Sequence, residues 1–351
     1  MRYAVPFVPD PAYMELLVSH RDRLTSVYFR LGPEVPDGRM PGIGDASPQD
    51  IMEGLSALPG VRRYGLLNSR FYDPAALSRE GLSDLIILLE GYLAADVLDG
   101  IVYADHYLLV ALSDAAPEVA KALEAIPSVN FLMDCAQRAG SLIDYAASTH
   151  FRPPRQVVLD RSLNRDMTRL AAVARELRSA YEGISVGLLA NEGCLYACPF
   201  KAAHDGRIAL SRLVPQRVGP GVKEQIGCLR FFLEDLGRIF ASPFLRPEDA
   251  SRLEGTVDFL KLGGRTRDPA VLREVVAAYL RGNYQGNLLA LLDTLEALSD
   301  RYWVENTAIP ETFFTRVDGC SRRCRDCGYC AALAGELVRE RALVLPEFVD
   351  A

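Results

Sequence analysis

Ile184-Ser-Val-Gly-Leu-Leu-Ala190 and the ten residues after it, Asn191-Glu-Gly-Cys-Leu-Tyr-Ala-Cys-Pro-Phe200, decide the fold. The first run is short and apolar, as a buried strand would be. The second places two thiols four residues apart, Cys194 and Cys198, where that strand gives way to a loop. In an α/β barrel this is the catalytic end, because the loops after the strands carry function on a rigid frame.

Similar apolar runs recur on both sides. They predict strands at Ala4–Val8, Ser26–Leu31, Arg63–Asn68, Gly100–Ala104, Tyr107–Leu112, Val129–Met133, Gln156–Asp160 and Val257–Leu262. Helical spacing fills several gaps, at 82–98, more weakly at 116–125, and at 166–181, the last entered through Asn164 as a cap. Strands alternating with helices imply parallel pairing and right-handed crossovers. Eight or so strands without a G-x-G-x-x-G after the first predict an α/β fold of the TIM-type (β/α)8-like barrel class rather than a doubly wound sheet. The glycine- and proline-rich segment 30–50 reads as a long loop able to cover the mouth. Beyond Leu262 helices are expected at 269–283 and 285–299, then a short element at 310–315 and a cysteine-rich run. The expected division is a barrel over 1–265, with a cysteine-bearing loop at 191–230, and a helical extension over 266–351 ending in a cysteine cluster.

The totals set bounds. At 351 residues, 49% apolar and a mean hydropathy of +0.05, the chain can bury a large core. A formal charge of -7 and a pI near 5.3 argue against a DNA partner, although a local basic patch could hold a tRNA or another anion. No apolar run reaches the ~18 residues of a membrane span, and Met1-Arg-Tyr-Ala-Val-Pro6 has no signal-peptide layout. The expectation is a cytoplasmic protein with no membrane span. Its eight cysteines, seven of them at or beyond residue 194, then point to metal or redox chemistry rather than disulfides.

Cys320-Ser-Arg-Arg-Cys324-Arg-Asp-Cys327-Gly-Tyr-Cys330 is the densest signal. Four thiolates in eleven residues can fold round one centre; ferredoxin-type clusters use such tight runs, whereas structural zinc sites more often split their ligands into two separated pairs. Iron-sulfur, zinc and no metal all remain open on spacing alone. Arg322, Arg323 and Arg325 could offset the charge of a thiolate-ligated cluster or form an ordinary solvated turn. The first three cysteines also have the radical-SAM spacing, but that triad follows the first barrel strand, and Cys330 as a fourth ligand leaves no open iron position.

Cys194 and Cys198 would share one face if a helix began there, and Cys228 could return as a third ligand; burial as plain apolar residues is the alternative. His204 could be a ligand, a proton donor or a surface residue. Glu192, at the strand end, could do acid-base work at the mouth or cap a loop. Cys135, after the strand expected at 129–133, could face the same mouth or be buried. No G-x-S-x-G, H-E-x-x-H or P-loop is present.

In order, these segments resemble the collagenase-like peptidase family, whose iron-sulfur members include accessory proteins of oxygen-independent ubiquinone hydroxylation and RNA hydroxylases. The resemblance rests on Tyr64-Gly-Leu-Leu-Asn68, Gln156-Val-Val-Leu-Asp-Arg-Ser-Leu163, Asn191 to Pro199 with His204, and Lys261-Leu-Gly-Gly-Arg265, which resembles a K-x-E-G-R segment. It implies a barrel with one 4Fe-4S centre on four cysteines, three of whose roles fit Cys194, Cys198 and Cys228. Two departures stand out. Residues 247–251 lack the fourth cysteine, and Gly263 replaces the acidic residue. The missing ligand could come from the terminal run folded over the mouth, or that run could hold a second cluster.

The resulting expectation is an iron-sulfur enzyme or subunit, with one or two 4Fe-4S clusters, in oxygen-independent modification, chiefly hydroxylation. It would act on a small molecule in preference to RNA, and a protein partner from the same pathway is an expected associate. Lys261 and Arg265, at the last strand's end, are candidates for holding an anionic substrate, or members of structural ion pairs. A non-catalytic electron-transfer partner and a peptidase are the alternatives.

Overall fold

A computed structural model describes residues 1–38, 46–214 and 225–341. Eight strands, β1 (Arg2–Pro6), β2 (Leu24–Arg30), β3 (Arg62–Leu67), β4 (Gly100–Tyr103), β5 (Glu124–Pro127), β6 (Gln156–Leu159), β7 (Ser185–Leu189) and β8 (Phe259–Lys261), form one parallel sheet. Its order, β5-β4-β3-β2-β1-β8-β7-β6, is that of a barrel opened between β5 and β6. That seam is stitched at its floor by the parallel bridge between Glu124 and Arg152. The fold is therefore an α/β TIM-type barrel, nearly closed. Helices α1 (Pro11–Ser19), α2 (Pro48–Ser56), α3 (Ser83–Ala94), α4 (His106–Ala115), α5 (Pro117–Ala122), α6 (Ala136–Ala147) and α7 (Met167–Ala180) fill the crossovers, and α8 (Lys201–Leu213) follows β7.

Strand periodicity sorts the side chains into two shells. Inside, Ala4, Val158, Leu189 and Phe259 form one apolar cluster and Tyr28, Tyr64, Leu66, Val102 and Ile126 another. Gly187 lies opposite Phe259, and a Cβ there would come within 2.4 Å of the ring, so the small residue makes room for the large one. At the floor, Glu124 receives Arg62 and the Tyr64 hydroxyl, and Gln156 donates to Ser26. The outer shell, between strands and helices, is one apolar core that continues into the later segment through Leu288, Phe313 and Leu333.

Several segments differ from expectation. Tyr107–Leu112 is not a strand but lies in α4: Asp105 accepts from the Tyr107 N–H, and Leu108, Leu109 and Leu112 are buried at helical spacing while Tyr107 stays exposed. Val129–Met133 is not a strand either. The strand is β5, just upstream, in the stretch expected to end a helix; Ser128 then accepts from Asn130 N–H and turns 129–131 into a single 3-10 turn. Cys135 accordingly sits at the start of α6 rather than at a strand end. The cap of α7 is Asp166, whose side chain accepts from Arg169 N–H; Asn164 is buried and donates to the carbonyls of Leu189 and Pro243. The helix expected over 285–299 is broken into Leu288–Leu291, capped by Asn287, and a 3-10 turn at Glu296–Leu298. Part of the 30–50 loop, 39–45, lies outside the described residues. No helix among the described residues is long and apolar enough to cross a membrane.

Candidate functional site at the barrel mouth

Asn191, the second residue past the end of β7, is fully buried and ties three segments together. Its Oδ1 accepts from Gly263 N–H at 2.6 Å, its amide donates to the Gly263 and Leu291 carbonyls at 3.2 and 3.3 Å, and its own carbonyl accepts from Asp293 N–H at 2.8 Å. The loop after β7, the loop after β8 and the Leu288–Leu291 turn are thereby held in one geometry. No helix begins at Cys194: residues 191–200 are irregular, with Ala197 at φ 45°, and α8 starts only at Lys201. Cys194 and Cys198 therefore do not share a helix face.

The clamp frames a cavity of about 100 Å³ at the C-terminal ends of the strands, lined by Glu192, Cys194, His204, Lys261, Arg265 and Asp293 among others. Five of these six were singled out from sequence, and the barrel brings them together across 73 residues of chain. Their charges are mostly committed. Glu192 is in close contact with the buried Arg161 guanidinium, and its Oε1 accepts from the Cys194 thiol at 3.5 Å. Arg265 donates to the buried Asp37 at 2.7 Å, and Arg30 approaches the same carboxylate. Lys201, also on the cavity wall, is bonded to Asp205 and, at 2.9 Å, to Asn130. Burial pushes the Lys201 ammonium down from its ordinary range, and the Asp205 charge opposes that.

Lys261, the last residue of β8, points inward and has no carboxylate partner among the described residues. Its ammonium lies 4.0 Å from the centre of the Tyr28 ring. Burial, then repulsion from Arg265, pushes it down to about 7.

Apart from Cys135, the remaining thiols fall into two groups. Burial pushes the Cys198 thiol up; the Phe200 N–H opposes this, and the neighbouring Cys228 reinforces it. The terminal run is anchored at the start of α7, where Gly319 N–H donates to the Arg165 carbonyl and Asp318 accepts from Met167 N–H. Cys324–Cys327 forms one exposed helical turn, and Gly328 at φ 66° reverses the chain into the helix Tyr329–Leu337. Burial pushes the Cys330 thiol up to about 11; Cys324, Cys320 and Cys327 push the same way and Arg165 opposes. Arg322 lies over the Tyr196 ring at 3.9 Å, so the run abuts the loop that carries Cys194 and Cys198. Among the described residues no three His, Cys, Asp or Glu side chains are grouped so as to hold a metal ion.

Three features escaped the sequence reading. The Lys201 to Asp205 spacing is a visible i,i+4 pair. Asp293 carried no signal, since it lay inside an expected helix; its carboxylate takes the space that a side chain at Gly263 would need, 2.9 Å from the position of a Cβ. Arg165 is wholly buried over the rings of Phe244 and Phe313; its Nη2 bonds the Ser242 carbonyl, while Nε and Nη1 have no hydrogen-bond partner among the described residues. Burial, with Arg322 acting the same way, pushes its guanidinium down to about 9, and Asp249 and then Cys330 oppose this.

No family model matches the chain. It is similar to an uncharacterized protease of Methanocaldococcus jannaschii, 29% identical over 224 residues, 60% of this chain and 64% of that one. The chain thus spans less than two thirds of that relative's length. Among solved structures it is similar to a U32 peptidase, at 14% identity and a TM-score of 0.48, covering 75% of this chain and 92% of the other.

Proposed function

We propose that the chain is an iron-sulfur member of the collagenase-like, U32 peptidase family. Its barrel, 1–265, supplies a small anion-attracting cavity, and its extension, 266–351, holds a cluster on Cys320, Cys324, Cys327 and Cys330. The kinship is supported by the archaeal relative. The reaction class is oxygen-independent modification of a small molecule, and the size of the cavity, room for several waters, favours such a substrate.

The observation that carries the cluster is Arg165. A buried guanidinium with two nitrogens bare among the described residues, whose neighbouring carboxylate Asp249 is shared with Arg246, costs several kcal/mol, roughly. It lies within electrostatic reach of Cys330, in a four-thiol run whose members already act on one another. A thiolate-ligated cluster is anionic and would add counter-charge beyond the shared Asp249, and the exposed Cys324 and Cys327 are free to turn toward it. Such a cluster contributes one-electron transfer when bound. Cys194, Cys198 and Cys228 are candidates for a second centre beside the cavity.

Anaerobic purification followed by iron, sulfide and zinc analysis, with EPR before and after reduction, tests this. About four irons per chain are expected for one cubane and about eight for two. The Cys327→Ser/Cys330→Ser protein is expected to lose the terminal centre and Cys194→Ser/Cys198→Ser only the other. Arg165→Met is expected to surrender iron to a chelator faster than wild type. Zinc without sulfide defeats the proposal, and peptide cleavage by fully iron-free protein would favour the hydrolytic function named for the relative.

A further inference from the structure

The chain has 39 basic residues, yet only four are lysines: Lys121, Lys201, Lys223 and Lys261. Arginine supplies the other 35 basic residues and most of the salt bridges among the described residues. Two of the four lysines nonetheless line the mouth cavity. Arginine and lysine differ there in one chemical respect: an amine can lose its proton and become a nucleophile, and a guanidinium stays charged. Lys201 is occupied by Asp205 and Asn130. Lys261 is not so occupied. It projects from the last residue of β8 over an aromatic face, with no ion pair or hydrogen bond among the described residues.

We propose that Lys261 is a nucleophilic amine that captures a small aldehyde or ketone in the barrel mouth as an imine. The inference does not rest on the iron-sulfur proposal, since the step needs no cluster. The Nζ lone pair attacks the carbonyl carbon, and the C–O π electrons move to oxygen, which takes a proton while nitrogen gives one up. Nitrogen then forms the C=N bond as the oxygen leaves with a second proton as water. The sum is amine plus carbonyl giving imine plus water, with no oxidant or reductant. His204, which lines the same cavity, is assigned the proton relay in this proposal, whereas Glu192 is committed to Arg161. The groups facing Lys261 are the Tyr28 ring from β2 and Arg265 from its own loop, with Asp293 and Cys194 also lining the cavity. Burial and Arg265 hold the ammonium near 7, so that a large share of the amine is neutral at physiological pH. Arg265, although paired with Asp37, adds positive potential beside Lys261 that favours a carbonyl compound carrying a carboxylate.

The test is reductive trapping of full-length protein at pH 7 with glyoxylate and borohydride, followed by peptide mass mapping. With four lysines and the α-amine of Met1 the map is small and internally controlled. A carboxymethyl group is expected on Lys261 at least about ten-fold ahead of Lys121, an exposed lysine paired with Glu118. Lys261→Arg is expected to lose that label and keep the weak background. The wild-type map needs no variant, so the result stands even where a substitution impairs folding. Labelling of Lys261 no faster than of Lys121, or none at all, overturns the proposal. The same experiment on iron-loaded and iron-free protein separates this outcome from any failure of the cluster reading.

Discussion

Replacing Asn191 by alanine isolates the clamp on which the mouth depends. The substitution removes three side-chain hydrogen bonds, to the Gly263 N–H and to the carbonyls of Gly263 and Leu291, in a residue with no solvent exposure. The Gly263 N–H, bonded at 2.6 Å, loses its partner, and a buried donor left bare costs about 1–3 kcal/mol. The two carbonyl contacts, at 3.2 and 3.3 Å, are long and are each assigned roughly 0.5 kcal/mol. The total is about 2–4 kcal/mol, or a fall of about 1 M in the urea midpoint. Equilibrium urea unfolding read by the single tryptophan, Trp303, gives the midpoint. Asn191→Asp keeps the acceptor for Gly263 N–H but turns a carboxylate oxygen toward two carbonyls, so it is expected to be destabilised at least as much at neutral pH. A midpoint for Asn191→Ala within ~0.5 kcal/mol of wild type would refute the reasoning, because a surface-like residue costs that little.

Further outcomes follow from the same geometry. Gly263→Ala drives a methyl group to within 2.9 Å of the Asp293 carboxylate and is expected to cost about 1–3 kcal/mol, measured by thermal unfolding. Lys261→Met is expected to stabilise the protein below pH 7, on the order of 2–4 kcal/mol. The folded pKa, about 7, lies below the unfolded one, so the charged lysine penalises the fold fully below 7 and progressively less up to about 10.5; the gain should shrink over that window in urea titrations at several pH values. Glu192→Gln and Arg161→Met are each expected to lose about 3–5 kcal/mol, and the double variant less than the sum, in a double-mutant cycle.

How much of this was legible follows from where each signal is encoded. β1 to β4 and β6 to β8 are apolar runs that the eye finds within a residue or two. β5 is hidden because it is only Glu-Ala-Ile-Pro, and its glutamate faces inward to bind Arg62 and Tyr64 at the barrel floor. Locally that glutamate argues against a strand; only the closed barrel supplies its partners. The run Tyr107–Leu112 fails for the opposite reason, since six apolar residues suit a strand or a helix equally, and the Asp105 cap that decides between them is a single side-chain contact.

The candidate site divides along the same line. Residues at strand ends, Glu192, Lys261 and Arg265, could be placed at the mouth from sequence because a barrel converts chain position into spatial position. Their electrostatic state could not, because it is set by partners far away in the chain: Arg161 for Glu192, Asp37 for Arg265, and no carboxylate for Lys261 among the described residues. Arg165 carries this furthest. In sequence it is one of many arginines, in a stretch read only as the approach to a helix. In the fold it is a buried cation with N–H groups bare among the described residues, whose neighbouring carboxylate, Asp249, is bonded to Arg246, and which also feels a thiol in a run more than 150 residues later. A cation so placed destabilises the chain unless further negative charge joins it, and the thiolate cluster proposed above would supply that charge.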